Sequence, residues 1–253
     1  MKTLKLFLPV LFLLTIVSCN KKNNTTSPSS TTSNPQALVP DSFNVLFSTS
    51  LLYTVTATST STLNYIENYA LASNSYFSNF THNLSGPLIN MDTVRLNGKI
   101  LVNTSFPNPN FYIDSSSNYM FGPYIWKTTG GAFPALTFTN TDTYCNYTNY
   151  TSWPDTISKS NGLSLSLTGT GNADDVWIYL SNTQSTVMSA SVNVLIGSSP
   201  SYSFSPASLS AISTASDAVI SIEFYTNNIQ TISGKRINFR NRTIYAKNVG
   251  VKN

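Results

Sequence analysis

Four aromatic residues recur at intervals of three: Tyr144, Tyr147, Tyr150 and Trp153, with Asn, Thr and Ser among the residues between them. A polyproline II segment makes one turn every three residues, so in that conformation all four rings would line one side. Flat rings flanked by amide and hydroxyl groups suit sugars, which stack and hydrogen-bond. In a regular strand the same rings would divide between two faces. The competing expectation is a connector whose rings pack on the elements it joins. The four residues are the candidate ligand-binding set, and a glycan is the ligand their chemistry would suit.

Other chemistry is sparse. His82 is the one histidine and lies in a polar stretch with no Gly-x-Ser-x-Gly elbow in the chain, so a Ser-His-Asp site has little to build on. One histidine and two cysteines do not make the usual His or Cys zinc sets. The ten acidic residues stand mostly beside Ser, Thr, Asn or Gly, and no pair announces itself as the two carboxylates of a glycosidase. Glu223 alternates with Ser221 and Tyr225, opposite Ile222 and Phe224, and is expected to be solvated. Gly171 to Asp175 could offer oxygens to Ca²⁺ but lacks the EF-hand spacing, and a turn is the plainer reading. No catalytic residue, metal ligand or cofactor is assigned. Lys235, Arg236, Arg240, Arg242 and Lys247 are expected to form a solvated basic face on a C-terminal hairpin.

Composition sets the class. Charged residues make up 9% and aromatics 12%, against about 25% charged in an ordinary globular chain. Disorder usually comes with high charge and few aromatics, so most of this chain should fold. The formal charge of +4 includes Lys2, Lys5, Lys21 and Lys22 near the N-terminus. The remainder is close to neutral, which speaks against a nucleic-acid partner.

The N-terminus has a positive start at Lys2 and Lys5, then an apolar run from Leu6 to Val17, too short to span a bilayer but suited to a signal peptide. Ile16-Val17-Ser18-Cys19 resembles the lipobox of bacterial lipoproteins. The resemblance implies cleavage between Ser18 and Cys19 and lipid on the Cys19 thiol, whose thiolate is a strong nucleophile. Acyl chains would then hold the chain to a membrane. Residues 1–18 are thus read as signal peptide, and 19–40, rich in Asn, Ser, Thr and Pro, as lipidated cysteine and disordered tether. Asn20, Lys21 and Lys22 after the cysteine resemble lipoproteins of the Bacteroidota, which implies an envelope location; no Asp follows Cys19 to suggest inner-membrane retention, so the outer membrane is expected, with its periplasmic and surface faces both open. The lipid implies the membrane as partner; the further partner is expected to be a glycan, on the aromatic series, or an envelope protein. If Cys19 carries lipid, Cys145 has no partner in the chain and is expected to be a buried thiol, with an intermolecular disulfide as the sharper alternative.

From Asp41 onward the hydrophobic period is mostly two. Leu51–Ala57, Val94–Asn97 and Lys99–Val102 around Asn97-Gly98, Asn110–Asp114, Tyr119–Phe121, Ile125–Lys127 and Leu136–Thr139 read as strands with turns between them. Leu63–Phe80 fits a helix face or a strand pair. Leu163–Thr168, Val176–Leu180, Val192–Ile196, Tyr202–Phe204, Val219–Tyr225, Ile229–Ile232, Ile237–Phe239 and Thr243–Val249 continue the series, with one helical turn at Ser205–Leu209 and a turn at Ser233-Gly234. Short strands at this spacing predict an all-β fold of one or two antiparallel β-sandwiches. The polar stretch 140–154 is the best boundary, giving a β-rich region at 41–145 and an immunoglobulin-like sandwich at 155–253. The second region resembles C-terminal modules of Bacteroidota lipoproteins, which implies a fold and a compartment but no activity.

Overall fold

The computed structural model describes residues 43–56, 60–77, 88–104, 110–114, 122–168, 173–182, 192–194, 201–210 and 212–253. Cys19, the signal peptide, the tether, His82, Tyr119–Phe121 and Gly171-Asn172 lie outside them. The fold is all-β and sandwich-like, with one very short α-helix among the described residues, and its sheets are open.

In chain order the strands are β1 (Phe43–Val55), β2 (Ser61–Phe77), β3 (Val94–Leu96), β4 (Lys99–Ile100), β5 (Val102–Thr104), β6 (Phe111–Asp114), β7 (Tyr124–Thr128) and β8 (Leu136–Asn140). A 3-10 turn (Asn149–Ser152) follows, then β9 (Thr156–Ser158), β10 (Leu163–Ser166), β11 (Asp175–Asn182), β12 (Val192–Val194), β13 (Ser201–Phe204), α1 (Pro206–Leu209), β14 (Ala215–Ile232) and β15 (Lys235–Lys252). The large sheet runs β12-β11-β14-β15-β1-β2-β6-β5, with β9 also paired to β15. A four-stranded layer, β4-β3-β7-β8, and a two-stranded one, β10-β13, complete the set.

Within the stretch read at 63–80, the described residues are strand: Ser61–Phe77 forms β2 and pairs along β1, while residues 78–80 lie outside the described residues. The two apolar segments read at 219–225 and 229–232 merge into one strand of 18 residues, as do those at 237–239 and 243–249. Ser233 and Gly234 both take positive φ (51° and 73°) and join these long strands. That is a two-residue turn whose twist matches the strands it connects. Asn97 and Gly98 do the same between β3 and β4. Ser205 caps α1, its Oγ accepting from the Ser208 N–H at 3.1 Å.

The sheet is mixed rather than purely antiparallel. β1 pairs in parallel with β15, from Val45 opposite Ile237 to Val55 opposite Lys247. A parallel pair needs a long crossover, and here almost the whole chain supplies it. The first and last described strands are therefore central neighbours, and residues from both sides of 140–154 share one sheet.

Two apolar clusters lie on the inner face of that sheet. One joins Val45, Phe47, Ile237 and Phe239 to Val94, Leu96, Trp126 and Leu136 of the four-stranded layer. The other joins Ile220, Ile222, Phe224, Tyr245 and Val249 to Leu163, Leu165, Phe204 and Leu209. A polar row crosses the sheet between them: Asn68, Thr49, Asn241 and Thr226 stand opposite one another in adjacent strands, all buried. Thr49 Oγ1 donates to Asn241 Oδ1 at 2.8 Å. The connector 140–154 passes from one core to the other above a continuous sheet, and each core draws residues from both sides of it.

Candidate functional site

The residues between β8 and β9 carry the aromatic series, and inward-facing side chains of β15 hold them against the sheet. Asn241 Nδ2 donates to the Asp142 carbonyl at 2.6 Å. The Tyr147 N–H donates to Tyr245 Oη at 3.2 Å. Lys247 Nζ donates to the Trp153 carbonyl at 2.7 Å and pairs with Asp155 at 2.9 Å. An irregular segment laid over a core must find partners for its backbone groups, and the odd-numbered polar residues of β15 supply them.

This contact overturns the exposed aromatic row. Tyr147 and Trp153 are buried in the second apolar cluster. Tyr147 Oη donates to the Ser166 carbonyl at 2.7 Å and accepts from Trp153 Nε1 at 3.1 Å. Tyr144 meets Tyr124 edge-on in the first cluster, with ring centroids 5.7 Å apart. Tyr150 stacks on Tyr245 at 5.4 Å, and its Oη accepts from Ser61 Oγ. The four rings divide between two cores and do not form one flat row open to solvent. The physical reason is the 3-10 turn at Asn149–Ser152, which curls the chain where a polyproline II ribbon would have kept the rings aligned.

Burial pushes the Tyr147 and Tyr245 hydroxyls up to about 12, and the Tyr144 hydroxyl higher still. Cys145 lies in the same core, and burial pushes its thiol up to about 12. A thiol so protonated and enclosed is a packing group and not a nucleophile.

The outer face of the large sheet carries a second constellation, which sequence patterning missed. Glu223 does face away from Ile222 and Phe224, but it is buried. Its Oε1 accepts from Arg242 Nη2 at 2.5 Å, and its Oε2 accepts from Arg242 Nε at 3.0 Å and from the Tyr225 hydroxyl. Arg240 is buried too, lies over the Tyr225 ring at 4.8 Å, and donates through Nε to Asn227 Oδ1 at 3.0 Å. The expected solvated basic face is therefore corrected: Arg240 and Lys247 are internal, on opposite faces of one strand, and Arg242 is largely covered. Burial alone would lower the Arg242 guanidinium, but Glu223, Tyr225 and Tyr69 together more than offset it.

Glu67 joins this face from β2, opposite Ser50, which is opposite Arg242. Burial raises its carboxyl, and Arg242 offsets only part of that. Ser48 Oγ, Ser50 Oγ and Asn238 Oδ1 are buried there without a protein partner. The arrangement fits a structural ion pair: both oxygens of Glu223 are engaged, which leaves it poorly placed as an acid or base.

The turn that sequence reading placed at Asp174 is built by acceptors. The Asn227 N–H donates to Asp174 at 2.6 Å, and Asn227 Nδ2 to Asp175 at 2.8 Å. Burial raises the Asp174 carboxyl, with Asp142 adding to it. Among the described residues no three His, Cys, Asp or Glu side chains gather in a metal-binding group. Two open depressions of about 500 Å³ flank the connector, one floored by Asp142, Asp174 and Asn227, the other by Ser152, Thr156 and Gly162. Both are open to solvent, and Ser, Thr and Asn supply half or more of each lining.

The chain matches no protein-family model, no curated protein and no solved structure. Its residues and their geometry carry the functional argument.

Proposed function

We propose that the chain is a non-enzymatic lipoprotein of a bacterial cell envelope, anchored in the outer membrane by lipid on Cys19, and that it serves as a structural or assembly component with protein partners. The anchor rests on the order of positive start, apolar run and lipobox in residues 1–19. The choice of protein over glycan rests on one observation: Tyr147 and Trp153, the centre of the sugar-stacking candidate, spend their rings and polar atoms inside the core. With those two rings internal and Tyr144 and Tyr150 half-buried, the four residues do not form one aromatic platform of the kind sugars select.

Metabolic labelling with an alkyne fatty acid tests the anchor. Label should appear on the native chain and vanish in Cys19→Ala. Pull-down on a panel of envelope and plant polysaccharides tests the ligand. Retention on any polymer at a level that survives Tyr150→Ala and Tyr144→Ala would place a glycan site elsewhere and reject the protein-partner reading.

A further inference from the structure

The described residues expose three large apolar side chains: Ile100 (52%), Val102 (65%) and Ile125 (43%). Ile100 and Val102 fall at one corner, and Ile125 lies on the interior strand β7 of the four-stranded layer. β4 edges the four-stranded layer, β5 edges the large sheet, and only the buried Leu101 separates them. On the outward side of the four-stranded layer, Ile100 stands opposite Arg95, and Arg95 opposite Lys127. Ile125 is two residues from Lys127 on the same side, opposite Thr139. Strands about 4.8 Å apart and side chains repeating every two residues bring Ile100, Arg95, Lys127 and Ile125 into one patch. The remaining outward positions, Thr137 and Thr139, are uncharged, so no carboxylate sits among these strand residues.

We infer that this basic and apolar face docks on the anionic headgroup surface of the membrane that holds the lipid anchor. The inference rests on the lipid-anchor reading above. Two observations select the membrane as occupant. Arg95 and Lys127 complement an anionic surface, with Ile100 and Ile125 placed to reach the headgroup boundary beside them. The chain also joins the sheet under this layer: Val45, at the start of β1, packs against Val94, Leu96 and Trp126. Residues 20–42 are all that separate β1 from Cys19, and near their start stands a second basic pair, Lys21-Lys22. A lipid at Cys19 keeps the face at high effective concentration beside the bilayer, so weak contacts suffice to dock it.

The test uses the full mature, lipidated chain in vesicles. Thr139→Cys carries a fluorophore at the rim of the patch, and the buried Cys145 stays unlabelled. Nitroxide lipids at headgroup depth report approach. In phosphatidylglycerol–phosphatidylcholine vesicles the fluorophore should be quenched, and the docked fraction should fall roughly fivefold for each of Arg95→Gln and Lys127→Gln. Ile125→Asp should abolish quenching with circular dichroism unchanged. Equal quenching in pure phosphatidylcholine, or none in either vesicle while the chain remains bound, overturns the docking. Protection of the fluorophore accompanied by dimers in light scattering also overturns it, in favour of a second copy on this face. A chain that fails to float with the vesicles overturns the anchor itself, a result separable from the rest.

Discussion

The ammonium of Lys247 donates to the main-chain carbonyl of Trp153 at 2.7 Å, inside the protein. Lys247 occupies an inward position on β15, in step with Tyr245, Val249 and Val251, where an apolar side chain would ordinarily stand. Its stem lies in the core while its head reaches the connector and Asp155. The pairing explains both why a lysine is tolerated there and why Trp153 is fixed inside.

Lys247→Met should remove the donor and leave the Trp153 carbonyl desolvated, at a cost of about 1–3 kcal/mol. Asp155 is 69% exposed, so Asp155→Asn should cost little, in the manner of surface ion pairs. Urea denaturation midpoints compare the two. Equal losses would show that the salt bridge, and not the carbonyl contact, is what Lys247 contributes.

The Glu223–Arg242 pair is held by two hydrogen bonds and sealed by Tyr225. Arg242→Met alone should destabilise by about 3 kcal/mol, because it strands a buried carboxylate. Replacing both partners with apolar residues should recover most of that loss. A double variant as weak as the single one would mean that the pair itself, and not the stranded charge, carries the energy.

Glu67 predicts a pH dependence of opposite sign to the usual carboxylate. Its folded-state pKa is raised by burial, so over the range between the ordinary value and the raised one the folded chain binds more protons than the unfolded chain. Its contribution is greatest below the unfolded value and is lost as pH rises through the folded one. Glu67→Gln should therefore leave the melting temperature unchanged in acid and raise it at neutral pH. A lower melting temperature for Glu67→Gln at neutral pH would contradict this.

Trp126, Trp153 and Trp177 are all buried, and they are the full complement of three. The folded chain should show weak acrylamide quenching that rises several-fold in denaturant. Cys145 should resist maleimide until the chain unfolds, since its thiol is enclosed and protonated. Fast maleimide reaction under native conditions would place the connector on the surface.

Local patterning exposed much of the fold. Leu163-Ser164-Leu165-Ser166 alternates buried and open as its hydropathy predicts; Tyr124 to Thr128 also alternates, but with Ile125 outward and Thr128 buried, against its hydropathy. The turns at Asn97-Gly98 and Ser233-Gly234 were legible because positive φ selects such pairs. The outer-face ion cluster was not legible. Alternation tells which side of a strand a residue faces, but not whether that side is covered, so Glu223 and Arg240 read as solvated and are buried. Lys247 did leave a trace, as a lone charge at an inward position of an apolar series.

By itself the sequence determined most of the strand-forming segments and their tight turns, because these depend on neighbouring residues: a period of two and a φ preference. Only the tertiary structure decided that β1 lies in parallel beside β15, that the aromatic series turns inward, and that Glu67 and Glu223 share a face with Arg242. Those outcomes depend on which strands become neighbours across nearly the whole chain. Pairing energy of that kind resides in contacts between distant residues, and no local window contains both partners.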